Sequence, residues 1–359
     1  MIIRFLGLIF SIVLLIISIF QKRFKKWKKA VLVFISLLFL FFMTVEYLFP
    51  LLPAPKPSGD MNVLVDTVFY SYESDNLEML TNNNEREIPV MVWYPENLEN
   101  KKHSLFLFSC GSFGIAQSNE TLFLELASRG YIVMSLNHPY HSFESKMSDG
   151  STISIDYNFL KNVISIQGSE DLEGTFKTLN ELTDIRIDDI NCVLDKILDP
   201  YKDNEYEEYI DKNHIILSGH SLGGSAMLSI GRDRSNEVKA LIILESPFVK
   251  DIIGVDKDKY VFIDGEYPLP ILHIYSDQIY FKLDEITTYD MNVRLLNSNN
   301  PMFVNKHIKG VGHLGLTDMS LATPVITNLI DLGHNKRKAP ETLLEINEYV
   351  LDFLEEYNK

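Results

Sequence analysis

The sequence predicts an α/β fold, a mostly parallel central sheet flanked by helices, behind a hairpin of two transmembrane helices. Three observations predict it. Short apolar strand patterns alternate with amphipathic helix patterns through the body of the chain, as in a parallel sheet covered by helices. A serine framed by glycines, Gly219-His220-Ser221-Leu222-Gly223, stands where one of those strands runs into a small-residue helix. Two apolar runs open the chain, each about the twenty residues that a helix needs to cross a bilayer.

The runs are Ile2–Phe20, broken only by Arg4, Gly7 and two serines, and Ala30–Phe49, with Glu46 near its far end. Between them Gln21–Lys29 carries six basic residues in nine. Short loops rich in Lys and Arg stay on the cytoplasmic side. The hairpin (1–50) should therefore keep its basic loop in the cytoplasm and hold the body outside, as a two-span protein of the cell membrane. A signal peptide is the rival reading, but no convincing small-residue cleavage site follows either run.

Pro50-Leu51-Leu52-Pro53-Ala54-Pro55-Lys56-Pro57-Ser58-Gly59 reads as a stiff, extended linker (51–60) leading away from the membrane. The body (61–359) follows. Val63–Tyr70 and Ile88–Pro95 are its first strands, separated by a polar turn at Asn82–Asn84. Ser104–Ser109 is apolar on both faces, as a central parallel strand should be. It ends in a glycine-bearing loop, Cys110-Gly111-Ser112-Phe113-Gly114, before a helix over Thr121–Arg129 and a strand over Tyr131–Leu136.

The pattern then repeats. A helix over Leu179–Leu198 precedes the strand at 214–218, and further strands are expected at Val238–Leu244, Pro270–Tyr275 and Phe303–Ile308. An amphipathic helix, Glu341–Tyr357, closes the chain. Two less regular stretches, about 142–175 and 316–340, interrupt the alternation and are candidates for caps.

The glycines around Ser221 carry the chemistry. A serine on a strand-to-helix turn has strained backbone and close-packed flanks, so tiny neighbours are needed on both sides. Gly219 and Gly223 supply them, which makes a nucleophile elbow of the kind found in α/β-hydrolases. A serine hydroxyl needs a histidine to take its proton, and an acid usually orients that histidine. In this fold the chain order is serine, acid, histidine.

His307, His313 and His334 follow the last strands. His307 lies within a strand, and His334 in a polar stretch. His313 stands in a glycine-rich loop, Lys309–Gly315, just past the last strand, and is the candidate base. Two carboxylates compete for the acid. Glu245 ends one strand and Asp277 the next, both at the carboxyl edge where sites of open α/β sheets lie. The oxyanion of a tetrahedral intermediate needs backbone N–H donors. Leu222, after the nucleophile, should give one, and Ser112 in the 110–114 loop the other.

Composition excludes other classes. Residues 1–50 hold seven basic residues against Glu46, a charge of +6; with a total of −16, the remaining residues carry −22. So acidic a body would repel nucleic acid. The two cysteines, Cys110 and Cys192, are too few for a disulfide framework and fall in segments expected to be buried. The sequence contains no metal-ligand cluster, phosphate-binding loop or nicotinamide fingerprint, so neither metal nor cofactor is expected.

Several of these stretches together resemble the platelet-activating-factor acetylhydrolases of the plasma and type II class. They are Val90–Pro95, Phe106–Ser112 with LASRGYIVMSLNHPYHS behind it, GHSLGG, LIILESPF and KHIKGVGHLGLTD, in consistent order over most of residues 62–320. The resemblance implies a calcium-independent esterase with Ser221 as nucleophile, Glu245 as acid and His313 as base. Two departures stand out: Cys110 replaces the family's usual histidine, and Glu245 its usual aspartate, which keeps Asp277 in contention. The implied substrate is a phospholipid-like or other small ester with a short or oxidised acyl chain. Alternatives are a lipase, cutinase-like esterase or acyltransferase on envelope lipids or polymers, or a binding protein on a catalytically dead hydrolase fold.

Overall fold

The computed structural model describes residues 2–74, 76, 79–81, 84–98, 101–199 and 206–358. The chain opens with α1 (Ile2–Phe20) and α2 (Lys26–Leu48), two antiparallel helices long and apolar enough to cross a membrane. Two polar pairs cross between them. Ser18 Oγ and Ser36 Oγ lie 2.8 Å apart, and Arg4 meets Glu46 at the other end. The second helix starts earlier than the apolar run, at Lys26, because lysine is a good helix former and needs no burial. The turn left between the helices is only Gln21–Lys25.

The proline-rich stretch is extended, but it does not stand away from the body. The Leu52 N–H donates to Leu321 O, and both the N–H and the hydroxyl of Ser58 donate to the buried Glu125 carboxylate. Arg129 bridges Glu125 and Ser58. The apparent linker is thus laid along the body, tied at Leu52 to Leu321 and at Ser58 and Gly59 to Glu125 and Ser128.

That body is built from β1 (Val63–Glu73), β2 (Glu85–Pro95), β3 (His103–Ser109), α3 (Glu120–Ala127) and β4 (Ile132–Leu136), then a hairpin of β5 (Glu144–Lys146) and β6 (Thr152–Ser154). The expected turn at Asn82–Asn84 falls largely outside the described residues. Next come α4 (Tyr157–Ile166), α5 (Leu172–Leu198), β7 (Ile210–His220), α6 (Ser221–Asp233) and β8 (Ala240–Leu244). A hairpin of β9 (Ile252–Asp256) and β10 (Lys259–Phe262) precedes β11 (Ile271–Ser276), α7 (Asp277–Tyr280), α8 (Asp290–Leu296) and β12 (Phe303–Ile308). Two short helices, α9 (Met319–Ala322) and α10 (Pro324–Ile330), and the long α11 (Ala339–Tyr357) complete it.

Eight strands form one sheet in the order β1-β2-β4-β3-β7-β8-β11-β12. The β1–β2 and β2–β4 pairs are antiparallel, and the other pairs are parallel. The inner strands β4, β8 and β11 are buried at every residue, because helices cover both faces. On one face Ile190, Val193 and Ile197 of α5 and Ala226 and Ile230 of α6 join the core. On the other, Leu122 and Phe123 of α3 meet Ile346, Val350 and Phe353 of α11. This is the α/β-hydrolase architecture. Cys110 and Cys192 are both buried as thiols.

One long helix begins earlier than its sequence pattern suggests. The Asp171 carboxylate caps α5 by accepting the Gly174 N–H at 2.9 Å, so the helix runs from Leu172 through a glycine that masks the periodicity.

Candidate active site

The carboxyl ends of β3, β7, β8, β11 and β12 gather the candidate residues. Ser221 follows β7 as the first residue of α6, with φ +52°. A left-handed backbone costs a non-glycine residue about 1–3 kcal/mol and persists only where packing dictates it. Here packing does. A Cβ on Gly219 would stand 2.6 Å from the Gly224 nitrogen, and one on Gly223 would stand 2.2 and 2.3 Å from the carbonyl oxygens of Ser109 and Cys110. Glycine at both places lets α6 close onto β7 and onto the loop after β3.

Glu245 follows β8, also at positive φ (+52°), and its carboxylate is fully buried. Three groups hold it. The Ser276 N–H donates to Oε2, the Ser276 hydroxyl donates to Oε1 at 2.9 Å, and His313 Nδ1 lies 3.0 Å from Oε1. The turn after Glu245 is pinned by the Ser246 N–H donating to His273 Nε2, whose burial pulls its pKa down to about 3 and keeps it a neutral acceptor.

Asp277 faces elsewhere. It accepts from His307 Nε2 and from the Gly310 N–H, each at 2.8 Å, and so braces the start of the histidine loop without touching His313.

His313 keeps a quarter of its side chain exposed. Burial pulls its pKa down, but the hydrogen bond and charge of Glu245, with Asp331 nearby, outweigh that and raise it above the ordinary histidine value. Because the carboxylate accepts at Nδ1, the neutral ring carries its proton there and leaves Nε2 as a base. The His220 ring lies 4.4 Å from that of His313 and donates from Nε2 to the His313 carbonyl at 3.2 Å. Among the described residues Ser221 Oγ makes no hydrogen bond to His313, a contact that in free enzymes is often long and tightens with substrate.

Several supporting residues escaped sequence reasoning. Asp331 accepts the N–H groups of Leu314 and Gly315, Asn335 accepts that of Gly312, and Gln278 that of His313. A glycine-rich loop exposes backbone donors that need acceptors, and this was the signal available. The 316–340 stretch is therefore a buttress for the histidine loop. The 142–175 stretch does cover the elbow side, where Phe159 and Val163 of α4 pack on Leu222 and Phe113. Phe143, Tyr157 and Ile164 are exposed on this stretch, among polar and charged side chains such as Glu144, Lys146 and Lys161.

The Leu222 N–H lies in the first turn of α6, where helix donors have no intrahelical partner. In the loop after β3, the Phe113 N–H goes to His141 O and that of Gly114 to Gly111 O. Among the described residues those of Gly111 and Ser112 have no such acceptor. A Cβ on Gly111 would lie 3.2 Å from Ser221 Cβ, so this loop closes directly on the serine.

A second serine–histidine–aspartate line lies in the core. His138 Nε2 is 2.8 Å from Ser109 Oγ, and its Nδ1 is 2.8 Å from Asp189 Oδ2. All three are sealed from solvent, and burial lowers the His138 pKa to about 4. No substrate reaches it, so it serves the structure. Among the described residues no group of His, Cys, Asp or Glu is arranged to hold a metal ion.

Matched against models of known families, residues 74–359 fit platelet-activating factor acetylhydrolase, isoform II. The chain belongs to that family. The family match leaves out α1 and α2. No curated protein sequence matches the chain. Among solved structures, a ferulic acid esterase from Streptomyces cinnamoneus aligns over 85% of this chain and 92% of its own, at 16% identity and a TM-score of 0.61. An acylaminoacyl peptidase from Pyrococcus horikoshii aligns over 82% of this chain and 42% of its own, at 16% identity and a TM-score of 0.45. At such identities the esterase likeness speaks for a shared fold, while the acetylhydrolase family makes ester hydrolysis the broad class of activity.

Proposed function

We propose that the protein is a membrane-anchored serine ester hydrolase that works through an acyl-Ser221 intermediate. One observation carries this reading: a buried carboxylate, Glu245, holds Nδ1 of the partly exposed His313, whose ring lies 4.4 Å from that of His220, the residue just before a serine on a strained elbow. Ser221 Oγ attacks the ester carbonyl as His313 Nε2 takes its proton. Glu245 fixes the tautomer and stabilises the imidazolium that forms. The N–H groups of Leu222 and Ser112 receive the oxyanion, and loss of one such donor typically costs about 3–4 kcal/mol of transition-state stabilisation. His313 then protonates the leaving alcohol, and water, activated by the same base, releases the acid.

The substrate is an ester with a short or oxidised acyl chain, on a phospholipid-like or other small alcohol. The family membership supports this class. The body (61–359) works outside the cytoplasm, held by the two helices, with the basic residues of Lys22–Lys29 inside. Hydrolysis of p-nitrophenyl esters of increasing chain length by the full chain in detergent, with Ser221→Ala as control, tests the reading. Activity greatest on acetate to butyrate and absent in the variant is expected. A preference for long chains would favour the lipase alternative, and turnover undiminished in the variant would remove the serine mechanism.

A further inference from the structure

The helix α5 carries a guanidinium that the reaction scheme above does not use. Arg186 is fully buried, and its two terminal nitrogens donate to the carbonyl oxygens of Cys110 and Gly111, the latter at 3.2 Å. One turn further along the same face, Asp189 is clamped. Arg86 grips both its oxygens at 2.6 and 2.8 Å, His138 Nδ1 approaches at 2.8 Å, and the Tyr72 hydroxyl donates at 3.1 Å. Arg86 in turn ties this cluster to the carbonyls of Met79 and Pro139. Asp189 thus locks α5 to β2 and to the loop after β4, and residues three apart on a helix share a face. The lock fixes where Arg186 points.

A buried cation is costly unless it is paired, and a paired one usually faces a carboxylate. Asp189 is taken by Arg86, and among the described residues the hydrogen bonds of Arg186 go to carbonyls alone. Those carbonyls belong to the loop against Ser221. In a trans peptide the C=O of one residue and the N–H of the next point in opposite directions, and the Gly111–Ser112 bond is trans. Drawing Gly111 O toward α5 turns the Ser112 N–H away from α5.

We infer that Arg186 is the positioning residue of the oxyanion hole, orienting the Ser112 N–H toward Ser221 and backing that peptide with a fixed positive charge. The inference rests on the ester-hydrolase reading above. The Gly114 N–H, which also donates to Gly111 O at 3.1 Å, completes the clamp on that carbonyl. A cation on the carbonyl end polarises the peptide, so the N–H meets developing negative charge with more force and without reorganising.

The test uses Arg186→Met and Arg186→Lys in the full chain. Arg186→Met should lower kcat on p-nitrophenyl acetate by about 10²- to 10³-fold, the size of a lost oxyanion donor, with KM nearly unchanged. Phosphonylation of Ser221 by a fluorophosphonate should slow in parallel, since the adduct needs the same hole. The acid limb of the pH profile should stay in place, because His313 and Glu245 are untouched. Arg186→Lys should fall between, keeping a charge but losing the planar fork. A folded Arg186→Met with kcat within about threefold of the parent would overturn the proposal. So would a loss accompanied by a shifted acid limb. If neither variant folds, the parent's phosphonyl adduct decides. A phosphoryl oxygen about 2.7–3.1 Å from the Ser112 nitrogen, with Arg186 on Gly111 O, sustains the proposal; an oxygen held by other donors refutes it. A parent that is not labelled at Ser221 at all counts against the hydrolase reading itself.

Discussion

Replacing Glu245 by glutamine separates the two candidate acids, and the structure sets the size of the effect. The Glu245 carboxylate accepts three hydrogen bonds in full burial, from the Ser276 N–H, the Ser276 hydroxyl and His313 Nδ1. An amide has only one acceptor end. The Ser276 N–H cannot turn, so an NH₂ facing it would leave a buried donor unmatched, at about 1–3 kcal/mol. The amide therefore sets its oxygen on Ser276 N–H and presents NH₂ to His313 Nδ1. That ring must then carry its proton on Nε2, where it cannot take one from Ser221. In a serine protease the same tautomer error costs about 10⁴ in kcat, or roughly 5 kcal/mol. Glu245→Gln should lose about 10³- to 10⁴-fold in kcat on p-nitrophenyl acetate while its thermal unfolding changes little. Asp277→Asn, whose carboxylate among the described residues reaches only His307 and the Gly310 N–H, should lose about tenfold or less, roughly 1.4 kcal/mol. A larger loss in Asp277→Asn than in Glu245→Gln would refute the assignment of the acid.

Three further outcomes follow from the same geometry. Gly223→Ala drives a Cβ against the Ser109 and Cys110 carbonyl oxygens, which are backbone and cannot swing aside; it should destabilise the protein by about 1–3 kcal/mol or more and cut kcat, and parental melting with parental kcat would contradict the packing argument. A protonated His313 cannot act as base, so kcat/KM should fall as pH drops through a pKa above 6.5, and Glu245→Gln should move that limb downward because burial is then less opposed; a limb below 6.5 in the parent would count against the pairing. Protease added to intact cells should digest the body and spare Lys22–Lys29, whereas a body protected until lysis means the opposite orientation.

Much of the fold is legible because its causes are local. Two-sided apolar runs mark β3, β4, β8 and β11, and a serine between two glycines marks the tight passage from β7 to α6. Other features depend on partners far apart in the chain. Arg86 and Asp189 are 103 residues apart, and His138 and Asp189 are 51 apart, so no window of sequence contains that lock. Spacing alone left Glu245 and Asp277 open, since both end neighbouring strands, and only the family resemblance favoured Glu245. The contacts that bear on it are long-range, His307 of β12 on Asp277 and His313 on Glu245. The docking of the proline-rich stretch was hidden for the same reason, as its partner Glu125 lies 67 residues from Ser58.

Covalent catalysis by Ser221 can be read out by mass spectrometry of the protein after reaction with a fluorophosphonate. One phosphonyl group per chain, mapped to Ser221 and formed at a rate that falls as His313 is protonated, is the predicted result. Labelling at another residue, or ester turnover that survives in Ser221→Ala, would contradict the account.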